Sequence, residues 1–362
     1  MEFNPRVKIN VLTKGFDSPN GCAFLFPLIK HRQALREHGI KIDFYEDIKE
    51  SLYSCDILIV ESKYFSADWA CNTDSVLEKF SVFREKIAKV IYFDISDSSG
   101  FPHVRVLPYV NSYVKNQLLK DKTLYLKPLY GHRFYADYYH RHYEVNDKNA
   151  LYSEPVQNAG LLPKLKIGWN SGLADYSLYG PYRMMLYKKI PISGLLSYPN
   201  KFISPTVERV NDLSCRMGIT YARDSVAWQR RQIRDKLKSF VLTNKLSRRH
   251  YYRELQVSKF VISPFGLGEI TLKDFEVFLT GGVLIKPDMS HMETWPNLFR
   301  DKETMLSFDW NLNHIHQRIE EMIASYKDLI DIAEGGQNFY RQYLSGPQAA
   351  QLFSDNFKRL IG

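Results

Sequence analysis

Residues 259–288, KFVISPFGLGEITLKDFEVFLTGGVLIKPD, read in order as a strand, a glycine-bearing turn, a helix, a glycine pair and a second strand. The turn Ser263-Pro264-Phe265-Gly266-Leu267-Gly268 puts backbone N–H groups at the start of the helix. Such amides lack intrahelical partners and sit at the positive end of the helix dipole, so small residues ahead of them suit a diphosphate. Lys273, about one turn in, can add a charge-assisted contact to phosphate. Glu276 follows three residues later on nearly the same face, where a carboxylate can accept hydrogen bonds from two ribose hydroxyls. A purely structural reading stands beside this one. In it Gly266 and Gly268 shape a turn, Glu269 is an acid at a helix start, and Lys273 with Glu276 is a surface pair.

Upstream of this stretch the same alternation recurs. VKINVL (7–12), IKIDFYE, CDILIVES and KVIYFDIS read as strands, and the segments CAFLFPLIKHRQALREHG and DSVLEKFSVFREKIA between them read as helices. CDILIVES is apolar on both faces, as a buried parallel strand should be. Strands separated by helices imply a parallel sheet with right-handed crossovers. Residues 145–165 lose periodicity and collect Asn, Pro and Gly, as a linker does. KIGWNS (166–171) then opens a second α/β series, with PISGLLSY, DLSCRMG, KFVISPF and GGVLIKP as later strands and helices over 226–239, 248–257 and 271–280. The expected fold is α/β: a Rossmann-like domain over 1–160, a second over 161–340, a cleft between them, and a helix over 341–362 that can return to the first domain. Ligands of such sheets bind beyond the C-terminal strand ends and at domain interfaces.

The 362 residues are 44% hydrophobic and 14% aromatic, which provides a core and argues against disorder. Four cysteines with neither CxxC nor zinc-like spacing read as reduced thiols of a cytoplasmic protein. The first residues lack the apolar run of a signal peptide, and no stretch approaches the roughly 18 apolar residues of a membrane span. The net charge is +9, concentrated over 223–253 in Arg230, Arg231, Arg234, Lys236, Lys238, Lys245, Arg248 and Arg249. That surplus suits phosphates, nucleic acid or an acidic membrane surface, or is simply a solvated helix face.

The 259–288 segment resembles the donor-binding signature of GT-B fold glycosyltransferases, both the group 1 and the exostosin-like families, through Ser263, Pro264, Gly266, Gly268, Lys273, Glu276, Gly281 and Gly282. By that resemblance Lys273 contacts the diphosphate of a nucleotide-sugar and Glu276 its ribose. Two departures stand out: six residues, not the group 1 pattern's seven, separate Glu269 from Glu276, and the proline after the glycine pair comes late, at Pro287. DLSCRMG followed by RRQIRDKL resembles the exostosin-like strand end and basic helix. Arg216 then points at phosphate; its structural alternative is a salt bridge at a strand end. Asp288 and His291 fall in the loop that lines a GT-B donor pocket. The resemblance implies transfer of a sugar to a glycan or lipid-linked acceptor in cell-surface polysaccharide synthesis. It places the protein in the cytoplasm or peripherally at the inner face of the membrane.

The acceptor side falls to the first domain. Asp17, in the loop after the first strand, is a candidate general base or a helix cap. Asp94 and Asp97 end the strand YFDIS, Asp94 as a catalytic candidate and Asp97 on the acceptor side. YLKPLYGHRFYADYYHRHY (125–143) offers His132 as a catalytic candidate and Arg133 as an acceptor contact, and reads either as sugar-stacking or as an interdomain surface. No DxD occurs, so no metal and no other cofactor is expected, with Lys, Arg and helix N-termini stabilising the leaving diphosphate. A basic nucleic-acid-binding protein is the competing class, though no motif of that kind appears and no such partner is expected. The P-loop and GxGxxG patterns are missing, which argues against kinases and dehydrogenases.

Overall fold

The computed structural model describes residues 6–362. β1 (Val7–Leu12), β2 (Ile40–Tyr45), β3 (Ile57–Glu61), β4 (Lys89–Asp94), β5 (Ser112–Lys115) and β7 (Leu165–Ile167) form one all-parallel sheet in the order β2-β1-β3-β4-β5-β7. β8 (Asn211–Ser214), β9 (Ser258–Ile262), β10 (Val283–Pro287) and β12 (Leu306–Phe308) form a second parallel sheet, ordered β12-β10-β9-β8. The two Rossmann-like units are tied by an antiparallel ribbon. In it β6 (Gln117–Leu119), just after β5, pairs with β11 (Met292–Thr294), just after β10, with Met292 opposite Leu119 and Thr294 opposite Gln117.

The helices are α1 (Pro19–Lys30), α2 (Arg32–Glu37), α3 (Asp68–Cys71), α4 (Thr73–Lys86) and α5 (Phe134–Tyr143) around the first sheet. They continue as α6 (Gly180–Lys189), α7 (Asp224–Lys236), α8 (Arg248–Val257), α9 (Leu272–Thr280), α10 (Ile315–Ala324), α11 (Ile330–Leu344) and α12 (Ala349–Ile361). Local chemistry fixes the two that matter most for the cleft. α1 starts where the Ser18 side chain accepts from the Gly21 N–H, with Pro19 preset for a first helical position. α9 starts at a reciprocal capping box between Thr271 and Asp274 and stops at Gly281, whose φ of 74° closes the last turn. A Cβ at Gly281 would also lie 2.3 Å from the Ile203 carbonyl oxygen.

β3, β9 and β10 are buried along almost their full length, because helices cover both faces of each sheet. One apolar cluster runs from Ile9, Phe24 and Phe93 of the first unit through Trp169 to Phe275 and Phe278 of the second. At about 2–3 kcal/mol for each fully buried side chain of this size, that shared core resists separation of the units. α12 lies beside α2: Phe353 stacks on His31 at 5.1 Å and meets Trp169 edge-on, and Lys89 Nζ donates to the last carbonyls, 2.9 Å from that of Gly362. No helix of the described residues is long and apolar enough to cross a membrane.

Three sequence expectations need correction. The strand at 165–167 does not open the second series. It adds to the edge of the first sheet beside β5, with Leu165 opposite Tyr113, because its buried Leu165 and Ile167 complete that sheet's core. Residues 145–165 are not a free linker: the buried Asp147 carboxylate accepts from the Ser225 N–H at 2.8 Å and its Oγ–H at 2.7 Å, and Val156 N–H donates to Tyr125 at 2.8 Å. PISGLLSY forms a 3-10 turn over Ser193–Leu195 and no strand, since Pro191 and Gly194 interrupt the pattern.

Candidate functional site

Most of the residues that meet at the domain junction follow a strand end. Ser18–Asn20 follow β1, Lys63 follows β3, Asp97 follows β4, Asn116 and Gln117 follow β5, Ser171 follows β7, and Gly266–Leu272 follow β9. All of them except residue 269 line a single cavity of about 440 Å³, joined by Arg230 and Tyr221. This is the crevice beyond the carboxyl ends of parallel strands, where open α/β sheets bind ligands.

The walls carry a defined chemistry. The N-termini of α1 and α9 both border the cavity, at Ser18-Pro19-Asn20 and at Thr271-Leu272. Among the described residues, the amides of Leu267, Gly268 and Ile270 donate to no protein acceptor. Arg230 enters from α7, buried to 8% exposure. Its Nε donates to the Phe265 carbonyl at 2.5 Å and its Nη1 to that of Gly218 at 3.2 Å, so the guanidinium is fixed beside Gly266. Burial pulls its pKa below the ordinary value, an energetic pressure that an anion in the cleft would relieve. Lys63 supplies a second cation, and Asp97 is the one carboxylate on the wall among the described residues. Asp97 Oδ1 accepts from Asn20 Nδ2 at 2.8 Å, and the same Asn20 amide holds the Ile95 carbonyl at 2.9 Å. Two further lining residues hold buried acceptors without a partner, Asn116 Oδ1 and Gln117 Oε1. Buried polar atoms are nearly always satisfied, so two unpartnered acceptors beside the cavity stand out among the described residues.

The candidates from the sequence divide. Gly266, Gly268 and Asp97 line the cavity. Gly268 has a second reason to be glycine: a Cβ there would stand 1.7 Å from the Asp97 carbonyl oxygen, so the domains touch backbone to backbone. Glu269 is fully buried and locks that junction, accepting from Ser99 N–H at 3.1 Å, Ser99 Oγ–H at 2.6 Å and Gln117 Nε2 at 3.2 Å. Burial would raise its pKa, but His291, 3.9 Å away, and the Ser99 donors hold it below the ordinary value. Arg133 is likewise a junction residue, its Nε donating to the Leu267 carbonyl at 2.7 Å. Ser263 Oγ–H donates to Asp274 at 2.5 Å, inside a buried set completed by Lys286 Nζ at 2.9 Å from Asp274 Oδ2.

Other candidates are corrected. Asp94 is no base: it is fully buried, with Lys115 Nζ and Tyr113 Oη each 2.6 Å away. Burial would raise its carboxyl, but the Lys115 ammonium holds it well below the carboxylate range. Asp17 is half-exposed and ion-paired to Lys188, and Ser18 caps the helix in its place. His132 lies in a separate cavity, stacked on Phe101 at 4.3 Å, with Nε2 3.0 Å from the Tyr152 carbonyl; burial lowers its pKa. Lys273 does not line the cleft. Its ammonium is turned to the carbonyls of Arg216 and Ile262, and desolvation pulls its pKa down to about 8. Glu276 is buried against Arg248 at 3.2 Å, and burial raises its carboxyl. Arg216 forms the salt bridge, bidentate to Glu254 at 2.7–3.0 Å. Asp288 closes a local turn onto Ser290. The aromatic stretch after residue 125 is an interdomain surface: Tyr135 Oη–H donates to the Gly266 carbonyl at 2.5 Å, and Gln229 Nε2 donates to Tyr139 Oη at 2.5 Å.

No family model and no curated protein matches the chain. Solved structures do, along its whole length. An alpha-glucosyltransferase in complex with UDP-glucose and DNA containing an abasic site is 10% identical, with 98% of this chain and 100% of that one covered at a TM-score of 0.48. A glycosyltransferase from Rickettsia africae is 9% identical, with 99% of each chain covered and a TM-score of 0.47. Anabaena HepE in complex with UDP-glucose is 10% identical, with 98% and 100% covered and a TM-score of 0.43. These likenesses are distant, and the chemistry of the cleft carries the functional reading.

Proposed function

We propose that the protein is a nucleotide-sugar-dependent glycosyltransferase whose donor lies in the interdomain cleft. One observation carries the reading. A single cavity of about 440 Å³ combines two helix N-termini, a fixed guanidinium and a lysine with the side-chain amides of Asn116 and Gln117 on its wall. Cations and main-chain amides suit a diphosphate, and side-chain amides suit hydroxyl groups; a nucleotide-sugar carries both. Arg230, Lys63 and the amides of Leu267, Gly268 and Ile270 take the charge that develops on the leaving diphosphate, so the transfer is proposed to run without a metal. Asp97 is the carboxylate within reach of an acceptor hydroxyl and takes the role of proton acceptor. The acceptor is proposed to be a glycan or a lipid-linked sugar of cell-surface polysaccharide synthesis, at or near the cytoplasmic face of the membrane.

A thermal-shift screen of UDP, GDP, CMP and dTDP tests the donor assignment. One nucleotide should raise the unfolding temperature selectively, by an amount set by RT ln(1 + [L]/Kd), about 2.7 kcal/mol at a hundredfold excess over Kd. The rise should vanish in Arg230→Ala. Four flat responses at millimolar nucleotide would remove the reading.

A further inference from the structure

Between Asp175 and Glu208 the chain contains no carboxylate, but it contains Arg183, Lys188, Lys189 and Lys201. Within that run, residues 179–192 hold six large apolar side chains that solvent reaches: Tyr179, Tyr182, Met185, Leu186, Ile190 and Ile192, 43–63% exposed. They are contiguous. α6 turns Gly180 and Met184 inward and sets Tyr187 against Phe16, with ring centroids 5.1 Å apart. Tyr182, Met185 and Leu186, spaced i, i+3, i+4, form the opposite stripe, with Tyr179 just before the helix and Ile190 and Ile192 just after it. α6 thus carries apolar side chains on two faces, alongside Arg183, Lys188 and Lys189. It is covered on one side only, and soluble monomers rarely leave such a continuous patch bare.

Charge selects what covers it. Lys189 and Lys201 make no ion pair among the described residues, and Lys188 is matched only by the half-exposed Asp17. Beside the helix a cavity of about 590 Å³, lined by Tyr179, Arg183, Tyr198 and Lys201 among others, has no carboxylate on its wall. A second copy of the chain across a two-fold axis would set the same lysines against each other, at a repulsive cost. An anionic lipid surface meets every feature: apolar and tyrosine side chains enter the headgroup layer while lysine ammoniums stay at the phosphates.

We propose that α6 and residues 190–192 form a docking surface for the headgroup layer of an anionic bilayer. Phe16 packs on Tyr187 and Asp17 pairs with Lys188, and the residues that follow, Ser18–Asn20, line the cleft. Docking therefore holds the cleft beside the lipid, where a lipid-linked acceptor would arrive. That consequence rests on the glycosyltransferase reading; the docking itself does not.

The test is co-sedimentation of the full chain with phosphatidylcholine vesicles, with and without phosphatidylglycerol, alongside the nucleotide thermal shift. Binding should require the anionic lipid and weaken with salt. Met185→Glu/Leu186→Glu should abolish it, and Lys189→Gln and Lys201→Gln should each weaken it about fivefold. All of these side chains are solvent-reached, so unfolding temperature and nucleotide response should stay at wild-type values in every variant. Absence of binding to anionic vesicles overturns the proposal and leaves the cleft reading standing. Binding that survives Met185→Glu/Leu186→Glu also overturns it. So does a sedimentation-velocity dimer that the same double variant dissolves while vesicles bind nothing.

Discussion

At the scale of single residues, the cleft depends on a few buried charges and their partners. Arg230 holds the Phe265 and Gly218 carbonyls and also lines the cavity, so its truncation and its replacement by lysine separate two roles. Arg230→Ala should lower kcat/KM by a factor of about 10²–10³, the usual loss for one fixed donor to a developing anion, and Arg230→Lys should recover part of it. Wild-type rates in Arg230→Ala would remove the residue from the donor site. The histidines make a different prediction. Burial holds the pKa values of His31 and His103 down to about 4. The folded state thus binds fewer protons than the unfolded state, whose histidines titrate near 6.5. The stabilisation is full above about pH 6.5 and is lost as pH falls from there to about 4, with on the order of 3 kcal/mol at stake for each residue. Asp94, with its depressed pKa, adds nothing to the slope in that window and acts only below it. Between pH 7 and pH 5 the urea midpoint of the wild type should therefore fall further than that of the double variant His31→Gln/His103→Gln, and an identical fall in the two would refute the assignment. Arg230 was visible in the sequence only as one of many basic residues. Asn116, Gln117 and Lys63 gave no signal, because separate strand ends bring them together and no local spacing records that. Lys273 and Glu276 had the right spacing, yet nearby carbonyls and Arg248 already occupy them.

At the scale of elements, the strand-turn-helix of residues 259–288 was legible because every cue agreed: an apolar strand, a capping Thr271 with Asp274, and a terminating Gly281. The edge strand β7 was not, since three residues carry too little periodicity to tell which sheet they join. Nor was the β6–β11 ribbon, whose pairing spans Gln117 to Thr294. That ribbon, Glu269 and the close approach of Gly268 to the Asp97 carbonyl make the turn both a cleft wall and a fixed contact between units. Gly268→Ala places a methyl group 1.7 Å from a backbone oxygen that cannot swing aside. The units must shift apart, at an expected cost of about 2–3 kcal/mol or more. Denaturant unfolding should report that loss, together with a weaker nucleotide response. A Gly268→Ala protein of wild-type stability would mean the two backbones are not in this contact in solution.

At the scale of the whole molecule, a net charge of +9 invites the expectation of nucleic-acid binding, and the arrangement of charge argues otherwise. Within the basic run 223–253, Arg231 pairs with Asp224, Arg234 with Asp235 and Arg248 with Glu276, and Arg230 is buried at the cleft. These pairs neutralise part of the excess, while Lys236, Lys238, Lys245, Arg249 and Arg253 are exposed and make no ion pair among the described residues. A surface that binds duplex DNA must release counterions from many phosphates at once, and the slope of log K against log salt counts them at about 0.9 per contact. Because these remaining cations are divided among the end of α7, the loop after it and α8, the slope should be shallow, near that of two or three contacts, and binding to random duplex should be gone by roughly physiological ionic strength. The same titration against anionic vesicles should retain binding at that salt, because the apolar stripe of α6 adds a contribution that ions do not screen. Tight DNA binding with a slope of six or more would reverse this reading of the charge. It would put the basic helix, and not the cleft, at the centre of what the protein does.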